Sequence, residues 1–350
     1  MDRNNLLTAK AGDPRFCDIV IATKCVLRCK MCKAWQCGSD SNEITFEEAK
    51  RFVRALSEFV NYPLEINVMG GEPLLKDWCL DLCKFISEQG FKSIISTNAY
   101  LIDEDVAQKI ADSKLSVLAI SLESLKASTH DFYRGVDGTF TRVMEVIKYL
   151  DKYCKGRLAI TILTIIMDKN LDDILELVEW INSNDLFVNI SFLALLETGL
   201  VHPRQDWFKR PEYAQLWPQD VNKTHQLIDE LIGLKKKGYK IWNPISQMEA
   251  FKSYYIDPDK FMQETGYRIH DYIIDLDENG IIYLSGEPLG SIKEDDLKQL
   301  WFSEKANAIR NKIDKQGPGK RCCVINFVCA FPSDEEYAQK RIYTGLSKSP

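Results

Sequence analysis

Short apolar runs alternate with amphipathic segments along the first 200 residues of the chain. The apolar runs are nearly continuous in valine, isoleucine and leucine, as is typical of parallel strands that are buried on both faces. They predict six strands, at Asp18–Ala22, Leu64–Met69, Lys92–Thr97, Leu115–Ser121, Leu158–Ile166 and Leu186–Leu193. Helical periodicity between them predicts helices over about Thr45–Tyr62, Lys76–Gln89, Asp103–Ser113, Phe140–Cys154 and Leu171–Asn182. Because crossovers between parallel strands are right-handed, this order predicts an α/β fold whose parallel sheet curls toward an open barrel.

The pattern changes after Glu197. The segment His202–Pro218 is rich in proline and large aromatic residues, and it predicts a loop-like crossing. Beyond it the sequence predicts a helix over Asp220–Lys237, a hairpin of Tyr272–Ile274 and Ile281–Leu284, and a helix over Glu304–Lys315. We therefore predict two domains, residues 1–200 and residues 201–350.

The composition is ordinary for a soluble globular protein. The 350 residues are 45% hydrophobic and 27% charged, and no apolar run is long enough to predict a membrane span. A net charge of −6 predicts no nucleic-acid partner and no anionic membrane surface as partner. The polar segment Met1–Gly12 lacks the apolar stretch of a signal peptide, and so we expect a cytoplasmic protein.

The cysteines depart from this ordinary composition. They number eleven, which without an export signal argues against a disulfide framework. Cys25, Cys29 and Cys32 directly follow the first predicted strand, and basic residues flank them. The same spacing occurs on the apolar face of a helix, but a strand end flanked by cations favours metal-binding thiolates. Three thiolates can hold an iron–sulfur cube that leaves one iron open, whereas a structural zinc site would add a fourth ligand such as Cys37.

A second motif, Gly70-Gly71-Glu72-Pro73, ends the second predicted strand. This is the carboxyl edge at which α/β proteins bind ligands, and paired glycines let a backbone approach closely. Gly286-Glu287-Pro288-Leu289 repeats part of the motif after the predicted hairpin, but it lacks the doubled glycine, and we interpret it as a type I or II turn. The cysteine motif followed by the glycine-rich strand end makes the iron–sulfur hypothesis stronger than the zinc hypothesis.

With these two motifs the chain resembles the radical S-adenosylmethionine (SAM) enzymes. Weaker motifs follow in the order found in that family: Ser96-Thr97-Asn98, Ser121-Leu122-Glu123-Ser124 and the stretch His130–Phe140. The last is similar to the branch with SPASM or twitch extensions. The resemblance implies a partial (β/α)6 TIM-like barrel with a small α+β C-terminal SPASM/twitch-like extension.

The resemblance also implies roles for individual residues. Cys25, Cys29 and Cys32 are expected to hold a [4Fe–4S] cluster whose open iron binds the amino and carboxylate groups of SAM. The other implied SAM contacts are Gly70, Gly71 and Glu72 at the methionyl amino group, Ser121, Arg134 and Asn98 near the carboxylate or ribose, and Leu193 or Ala194 at the adenine. Met31 stands where the family has an aromatic residue, which leaves Trp35 as a candidate for that adenine contact.

The implied chemistry is one-electron cleavage of SAM to a 5′-deoxyadenosyl radical, which abstracts hydrogen from a C–H bond of the substrate. The electron comes from a reductant such as a flavodoxin or a ferredoxin-like protein. The hairpin cysteines of the extension are missing, so we favour an extension without an auxiliary cluster, which ordinarily needs four thiolates. Cys322, Cys323 and Cys329 are then candidate hydrogen donors, which favours epimerisation or rearrangement over dehydrogenation.

For the substrate we expect a sugar, an aminocyclitol or another small natural product. The residues before the first strand are too few for the peptide-recognition domain of peptide-modifying relatives, although a peptide presented by another protein remains an alternative. A zinc-binding module without catalysis is the other alternative. The aromatic side chains of Tyr239–Tyr255, Trp207 and Trp217 could stack on sugar rings, but we favour the interpretation that they close the open side of the barrel. The four histidines show no metal-ligand spacing, and we interpret His130 as a helix-start residue.

Overall fold

The computed structural model describes residues 13–36, 43–197, 204–264, 272–315, 325–326 and 331. Within these residues a single sheet contains the strands β1 (Pro14–Ala22), β2 (Glu65–Gly70), β3 (Lys92–Thr97), β4 (Val117–Ser121), β5 (Ala159–Ile166), β6 (Asn189–Ala194), β7 (Tyr272–Leu276), β8 (Ile281–Leu284) and β9 (Glu287–Ser291). The order across the sheet is β6-β5-β4-β3-β2-β1-β7-β8-β9. Strands β1 to β6 are parallel and consecutive, which confirms the predicted α/β sheet of the partial barrel.

The described α-helices are α1 (Phe46–Ser57), α2 (Cys79–Glu88), α3 (Glu104–Asp112), α4 (Ala127–Arg134), α5 (Thr139–Cys154), α6 (Ile174–Asn182), α7 (Pro211–Ala214), α8 (Val221–Lys236), α9 (Ile245–Ile256), α10 (Pro258–Glu264), α11 (Leu297–Trp301) and α12 (Glu304–Lys315). Helices α1 to α6 lie between the parallel strands along the chain, and helices α7 to α12 come after β6. None of these helices combines the length and apolar character needed to cross a bilayer. The hydrophobic pattern did not predict α4 or α9, and α9 is buried on more than one side, so its sequence shows no clear polar face.

Alternate residues of the parallel strands face opposite sides of the sheet. Along β1, Cys17, Ile19 and Ile21 are fully buried in the main core beneath the helices, whereas Asp18 and Val20 are partly exposed on the inner face. A separate small apolar cluster is formed by the inner residues Phe16, Ile94, Val117, Ala159 and Val188, near the strand starts. The barrel therefore has an apolar floor, and its lumen opens toward the carboxyl ends of the strands.

The predicted C-terminal hairpin continues the barrel sheet. Strand β7 pairs in parallel with β1, and β8 and β9 follow it in antiparallel order. The third strand, β9, was not predicted because it includes Pro288 and Gly290. The repeated glycine motif was predicted as a turn, but Glu287, Pro288 and Leu289 lie on β9 and only Gly286 belongs to the turn, where Ser285 and Gly286 have φ values of 49° and 83°. Positive φ at both central residues is the type I′ geometry of tight hairpins, so the expected type I or II turn was wrong.

The large aromatic side chains of the crossing segment pack against one another. Trp207 and Trp217 are 1% and 5% exposed, and their ring centroids lie 5.5 Å apart at an interplanar angle of 88°. Tyr255 lies 5.1 Å from Trp217 and donates a hydrogen bond from Oη to the carbonyl oxygen of Ile166 at 2.7 Å. These three rings pack on one another beside the end of β5 and have no free face for a sugar, whereas closure of the open side of the barrel stays a prediction.

Two asparagines cover the outer edge of β6. The side chain of Asn243 accepts from Phe192 N at 2.7 Å and donates to Phe192 O at 2.8 Å. The side chain of Asn326 does the same for Ala194, at 2.7 and 2.9 Å. Each primary amide thus imitates a neighbouring strand and satisfies backbone groups that an open sheet edge would expose.

We expect Asn243→Ala to lower the free energy of unfolding by about 2–4 kcal/mol, because it leaves the buried N–H and C=O of Phe192 without partners. Chemical denaturation measures the change, and Asn307→Ala on the exposed face of α12 is the control. Equal stability of the two variants would contradict this account of the β6 edge.

Candidate functional site

The three predicted metal-binding cysteines lie together in the cysteine loop, residues 23–36, which follows β1. Cys29 is buried, and Cys25 and Cys32 are partly exposed. Burial raises the pKa of the Cys25 thiol, and the nearby Cys29, Glu72 and Cys32 raise it further. The three sulfur atoms are thus close enough for one thiolate to influence the next.

One side of the cysteine loop is clamped to the end of β2. Gly71 N donates to Ala22 O at 2.8 Å, and Glu72 N donates to Lys24 O at 2.9 Å. A Cβ atom at Gly70 would lie 2.2 Å from Ala22 O, and one at Gly71 would lie 2.3 Å from Lys24 O. Both distances are too short for any side chain, so this backbone approach requires the two glycines.

The other side of the loop is clamped to the end of α4. Arg28 N donates to Arg134 O at 3.2 Å, and Lys30 N donates to Tyr133 O at 2.9 Å. Gly135 ends the helix with φ of 69°, and a Cβ there would lie 2.1 Å from Arg28 O. Two backbone clamps therefore fix the cysteine loop from opposite directions.

Glu72 is fully buried and its carboxylate is occupied within the protein. It accepts from Thr97 Oγ1 at 2.8 Å, from Asn98 N at 3.0 Å and from Leu74 N at 3.2 Å. Burial raises the pKa of Glu72, and these hydrogen bonds oppose that rise. Asn98 in turn donates from Nδ2 to Cys25 Sγ at 3.5 Å. The geometry thus makes Glu72 a residue that positions Asn98 beside a cysteine.

Arg134 extends from α4 to the buried cysteine. Its guanidinium forms an ion pair with Glu123, and its Nη1 lies 3.8 Å from Cys29 Sγ. The second oxygen of Glu123 accepts from Ile165 N at 2.8 Å. Burial opposes the charged form of Arg134, but Glu123 and Cys29 outweigh it and raise its pKa. The result is a buried cation held beside a cysteine sulfur.

Sequence reasoning gave Glu123 no role and placed His130 incorrectly. His130 lies inside α4, not at its start, and its Nδ1 accepts a hydrogen bond from Glu123 N at 3.2 Å. Burial and then Arg134 lower the pKa of His130 to about 3, so the ring is neutral. A carboxylate directly after a buried strand was the available signal for Glu123, because such a position lies at the ligand-binding edge of a parallel sheet.

The remaining predicted contacts lie along the same edge of the sheet. Ser121 ends β4 in register with Leu163, and Leu193 lies on β6 in register with Ile165, both partly exposed. Met31 is 4% exposed and buried in the core. Trp35 donates from Nε1 to Cys29 O at 3.2 Å. Cys322, Cys323 and Cys329 lie outside the described residues, and their predicted role as hydrogen donors stays a prediction.

The lumen below the cysteine loop has one polar wall. Asn67 Nδ2 donates to Asp18 Oδ1 at 2.8 Å, and Ser96 Oγ donates to Asn67 Oδ1 at 3.4 Å. Asp275 on β7 lies in register with Asp18. Burial raises the pKa of Asp18 to about 6, although the hydrogen bond from Asn67 opposes the rise. Hydrogen-bonding groups thus line the lumen on β7, β1, β2 and β3.

The donor set suits an iron–sulfur cube. A zinc ion needs its ligands gathered within about 2.3 Å of one point. Among the described residues no three cysteine, histidine or carboxylate side chains are gathered in that way, and Cys37, the candidate fourth zinc ligand, lies outside the described residues. In a cube each cysteine binds a different iron, so the sulfurs of Cys25, Cys29 and Cys32 need not share one ion. The buried guanidinium at Cys29 suits a group of negatively charged thiolates.

Comparisons with known proteins agree with this interpretation. Residues 19–181 match the family model described as "Radical SAM superfamily". The chain is 26% identical over 174 residues to an AdoMet-dependent heme synthase of Methanosarcina barkeri (strain Fusaro / DSM 804). That match covers 49% of this chain and 48% of the relative, so the chain spans about half the length of that protein.

Solved structures share the fold over most of the chain. The structure of anSMEcpe with bound AdoMet and Cp18Cys peptide superposes with a TM-score of 0.60 at 18% identity and covers 83% of this chain and 81% of that one. Streptococcus suis SuiB bound to the precursor peptide SuiA superposes with a TM-score of 0.62 at 18% identity and covers 85% and 67%. At this identity the likeness concerns the fold alone.

We expect Gly71→Ala to disturb the cysteine loop without unfolding the barrel, because the new methyl group would collide with Lys24 O. After anaerobic reconstitution, the variant should bind less iron than the unmodified protein while its far-ultraviolet circular dichroism is retained. The control is Gly233→Ala in α8, where a Cβ atom meets nothing within 4 Å. Equal iron content in the two variants would contradict the claim that the cysteine loop requires glycine at position 71.

We expect Asp18→Asn to stabilise the protein above about pH 6. The raised pKa means that the folded protein binds this proton more tightly than the unfolded chain, so stability falls as pH rises from about 4 through 6. Removal of the charge should raise the free energy of unfolding by about 1–3 kcal/mol at pH 8 and change it little near pH 4. Urea unfolding of both proteins across this range measures the effect, and the exposed Asp137→Asn is the control. A variant less stable at pH 8 than the unmodified protein would contradict the assignment.

Proposed function

Because the chain belongs to the radical SAM superfamily, we propose that Cys25, Cys29 and Cys32 hold the [4Fe–4S] cluster at which SAM is reductively cleaved. The observation that carries the proposal is the doubly clamped cysteine loop at the carboxyl edge of the parallel sheet. When bound, the cluster and SAM would supply one-electron cleavage of a C–S bond, which would give methionine and a 5′-deoxyadenosyl radical able to take hydrogen from a C–H bond of the substrate.

In this proposal the residues of the chain hold the cysteine loop in place and contact SAM. Gly70 and Gly71 keep the strand end against the cysteine loop, and Glu72 holds Asn98 beside Cys25. Arg134, fixed by Glu123, would balance thiolate charge at Cys29 and is proposed as a contact to the SAM carboxylate or ribose. Ser121 and Leu193 face the same edge and are proposed as contacts to the SAM carboxylate or ribose and to the adenine. The apolar cluster at the strand starts closes the end of the lumen opposite the cysteine loop.

For the substrate we propose a small polar molecule, the class to which sugars and aminocyclitols belong. Asp18, Asn67 and Ser96 offer carboxylate, amide and hydroxyl groups in the lumen, which match a ligand rich in hydroxyl or amino groups. Candidate net reactions are epimerisation, rearrangement and dehydrogenation, with Cys322, Cys323 and Cys329 as proposed hydrogen donors.

A peptide is the second candidate substrate. Its support is the fold shared with structures that carry the Cp18Cys peptide and SuiA. Incubation of the enzyme with candidate substrates deuterated at carbon separates the two classes. The true substrate transfers its deuterium to 5′-deoxyadenosine, and mass spectrometry identifies the position that lost it.

We expect replacement of Cys25, Cys29 and Cys32 together by alanine to abolish both iron binding and 5′-deoxyadenosine formation under reductant. The unmodified protein should bind about four irons per chain, as one cube requires. The control is Cys83→Ala, which removes a buried core thiol of α2 that lies outside the cysteine loop.

Persistent 5′-deoxyadenosine formation in the triple variant would refute the catalytic assignment. Unmodified protein that binds one zinc and no iron, even after reconstitution, would instead support the zinc-module alternative.

A further inference from the structure

Cations and aromatic rings form a continuous surface on the outer side of the cysteine loop. We define the rim patch as Arg28, Lys30, Trp35, Phe132 and Lys169. The ammonium groups of Lys30 and Lys169 lie 4.8 and 5.1 Å from the ring centroid of Phe132. The guanidinium carbon of Arg28 lies 5.3 Å from the ring centroid of Trp35. All three cations are exposed, and the patch combines the cysteine loop, α4 and the turn after β5.

The described part of the chain does not neutralise the rim patch. No described carboxylate lies within ion-pair distance of Arg28, Lys30 or Lys169, whereas the exposed Lys126 and Lys223 pair with Asp173 and Asp172. Each ammonium group is attracted to the ring of Phe132, but the two like charges repel each other, and no described carboxylate offsets that repulsion. The whole chain carries a net charge of −6, so a local excess of cations is not a consequence of composition.

The rim patch lies directly outside the three thiols. Trp35 bonds to the carbonyl oxygen of Cys29, and the backbone of Arg28 and Lys30 forms the clamp to α4. Electron transfer slows steeply with distance, so a protein that delivers an electron to the cysteine loop must dock close to it. The surface available for that approach carries cations and aromatic rings.

We infer that the rim patch is the docking surface for an acidic one-electron donor protein, which carries a flavin or an iron–sulfur group near surface carboxylates. This inference rests on the proposed function, because the electron is needed only for SAM cleavage at the cluster. Opposite charges accelerate the encounter of two proteins and orient them. The rings of Phe132 and Trp35 add apolar contact area to the same surface.

A simpler role for the cations is stabilisation of the C-terminal end of α4. Cations at a helix C-terminus contribute about 0.3–1 kcal/mol. If this were their whole role, charge reversal would lower the stability of the protein and affect every reductant equally. The experiment below therefore compares a protein donor with a small reductant.

The test uses the variant Lys169→Glu, which leaves the cysteine loop unchanged, and the matched control Lys109→Glu. The control lysine is exposed near the C-terminal end of α3, at the opposite end of the barrel. The first measurement is the affinity of oxidised flavodoxin for the protein before cluster reconstitution. The second is the rate at which flavodoxin hydroquinone reduces the reconstituted protein. The third is 5′-deoxyadenosine formation driven by dithionite, which needs no protein docking.

We expect Lys169→Glu to lose about threefold or more in flavodoxin affinity and reduction rate, while dithionite-driven cleavage stays at the level of the control. The loss should shrink as salt is raised from low to physiological ionic strength. Equal behaviour of the two variants, or an equal loss with both reductants, would overturn the inference. Tighter binding of a single-stranded oligonucleotide than of flavodoxin to the unmodified protein would also overturn it. If the unmodified protein forms no 5′-deoxyadenosine with dithionite, that result counts against the proposed function. The flavodoxin affinity measured before cluster reconstitution still decides whether the rim patch binds the donor.

Discussion

The close approach of two backbones, at the end of β2 and the start of the cysteine loop, is the constraint on which the site depends. An irregular loop loses about 1–2 kcal/mol of conformational entropy for each residue that is fixed. Here that cost is offset by backbone hydrogen bonds at Gly71 and Glu72 on one side, and at Arg28 and Lys30 on the other. Because the contacts are made by main-chain atoms, side chains on the loop stay available for metal ligands and for the surface.

The second constraint is electrostatic. Three thiolates in one partly buried loop repel each other, and the pKa of Cys25 is raised first by burial and then further by its neighbours Cys29, Glu72 and Cys32. Arg134 supplies a compensating charge from inside the protein, but a buried guanidinium is itself costly unless it is paired. Glu123 pairs with it, and the backbone N–H of Glu123 bonds to the neutral ring of His130. Charge balance at the cysteines thus extends through α4 to the end of β4, a link that no local motif encodes.

The sequence allowed the prediction of features that depend on neighbours along the chain. The six parallel strands were predictable because each contains a short run of apolar residues, and the cysteine site was predictable because its ligands lie on one short loop. The helix α4 was not predicted, because its eight residues show no apolar periodicity and its N-cap, Lys126, forms no side-chain cap. The role of Glu72 depends on the register between β2 and β3, which places Thr97 and Asn98 within reach of its carboxylate. The register between two strands is fixed only in the folded sheet, so the sequence of each strand does not reveal which polar residues at the strand ends come into contact.

An open six-stranded barrel leaves two strands with unpaired edges, and the C-terminal half of the chain covers both of them. At one edge, β7 pairs with β1 and adds Asp275 to the wall that carries Asp18. At the other, the side chains of Asn243 and Asn326 pair with β6, in continuation of a bridge between Ile190 and Ile241. The C-terminal half of the chain therefore covers both open strand edges of the barrel and also supplies part of the lumen wall. A change in the C-terminal half can alter the polar wall without touching the cysteine loop, so substrate preference can diverge while the clamped loop is kept.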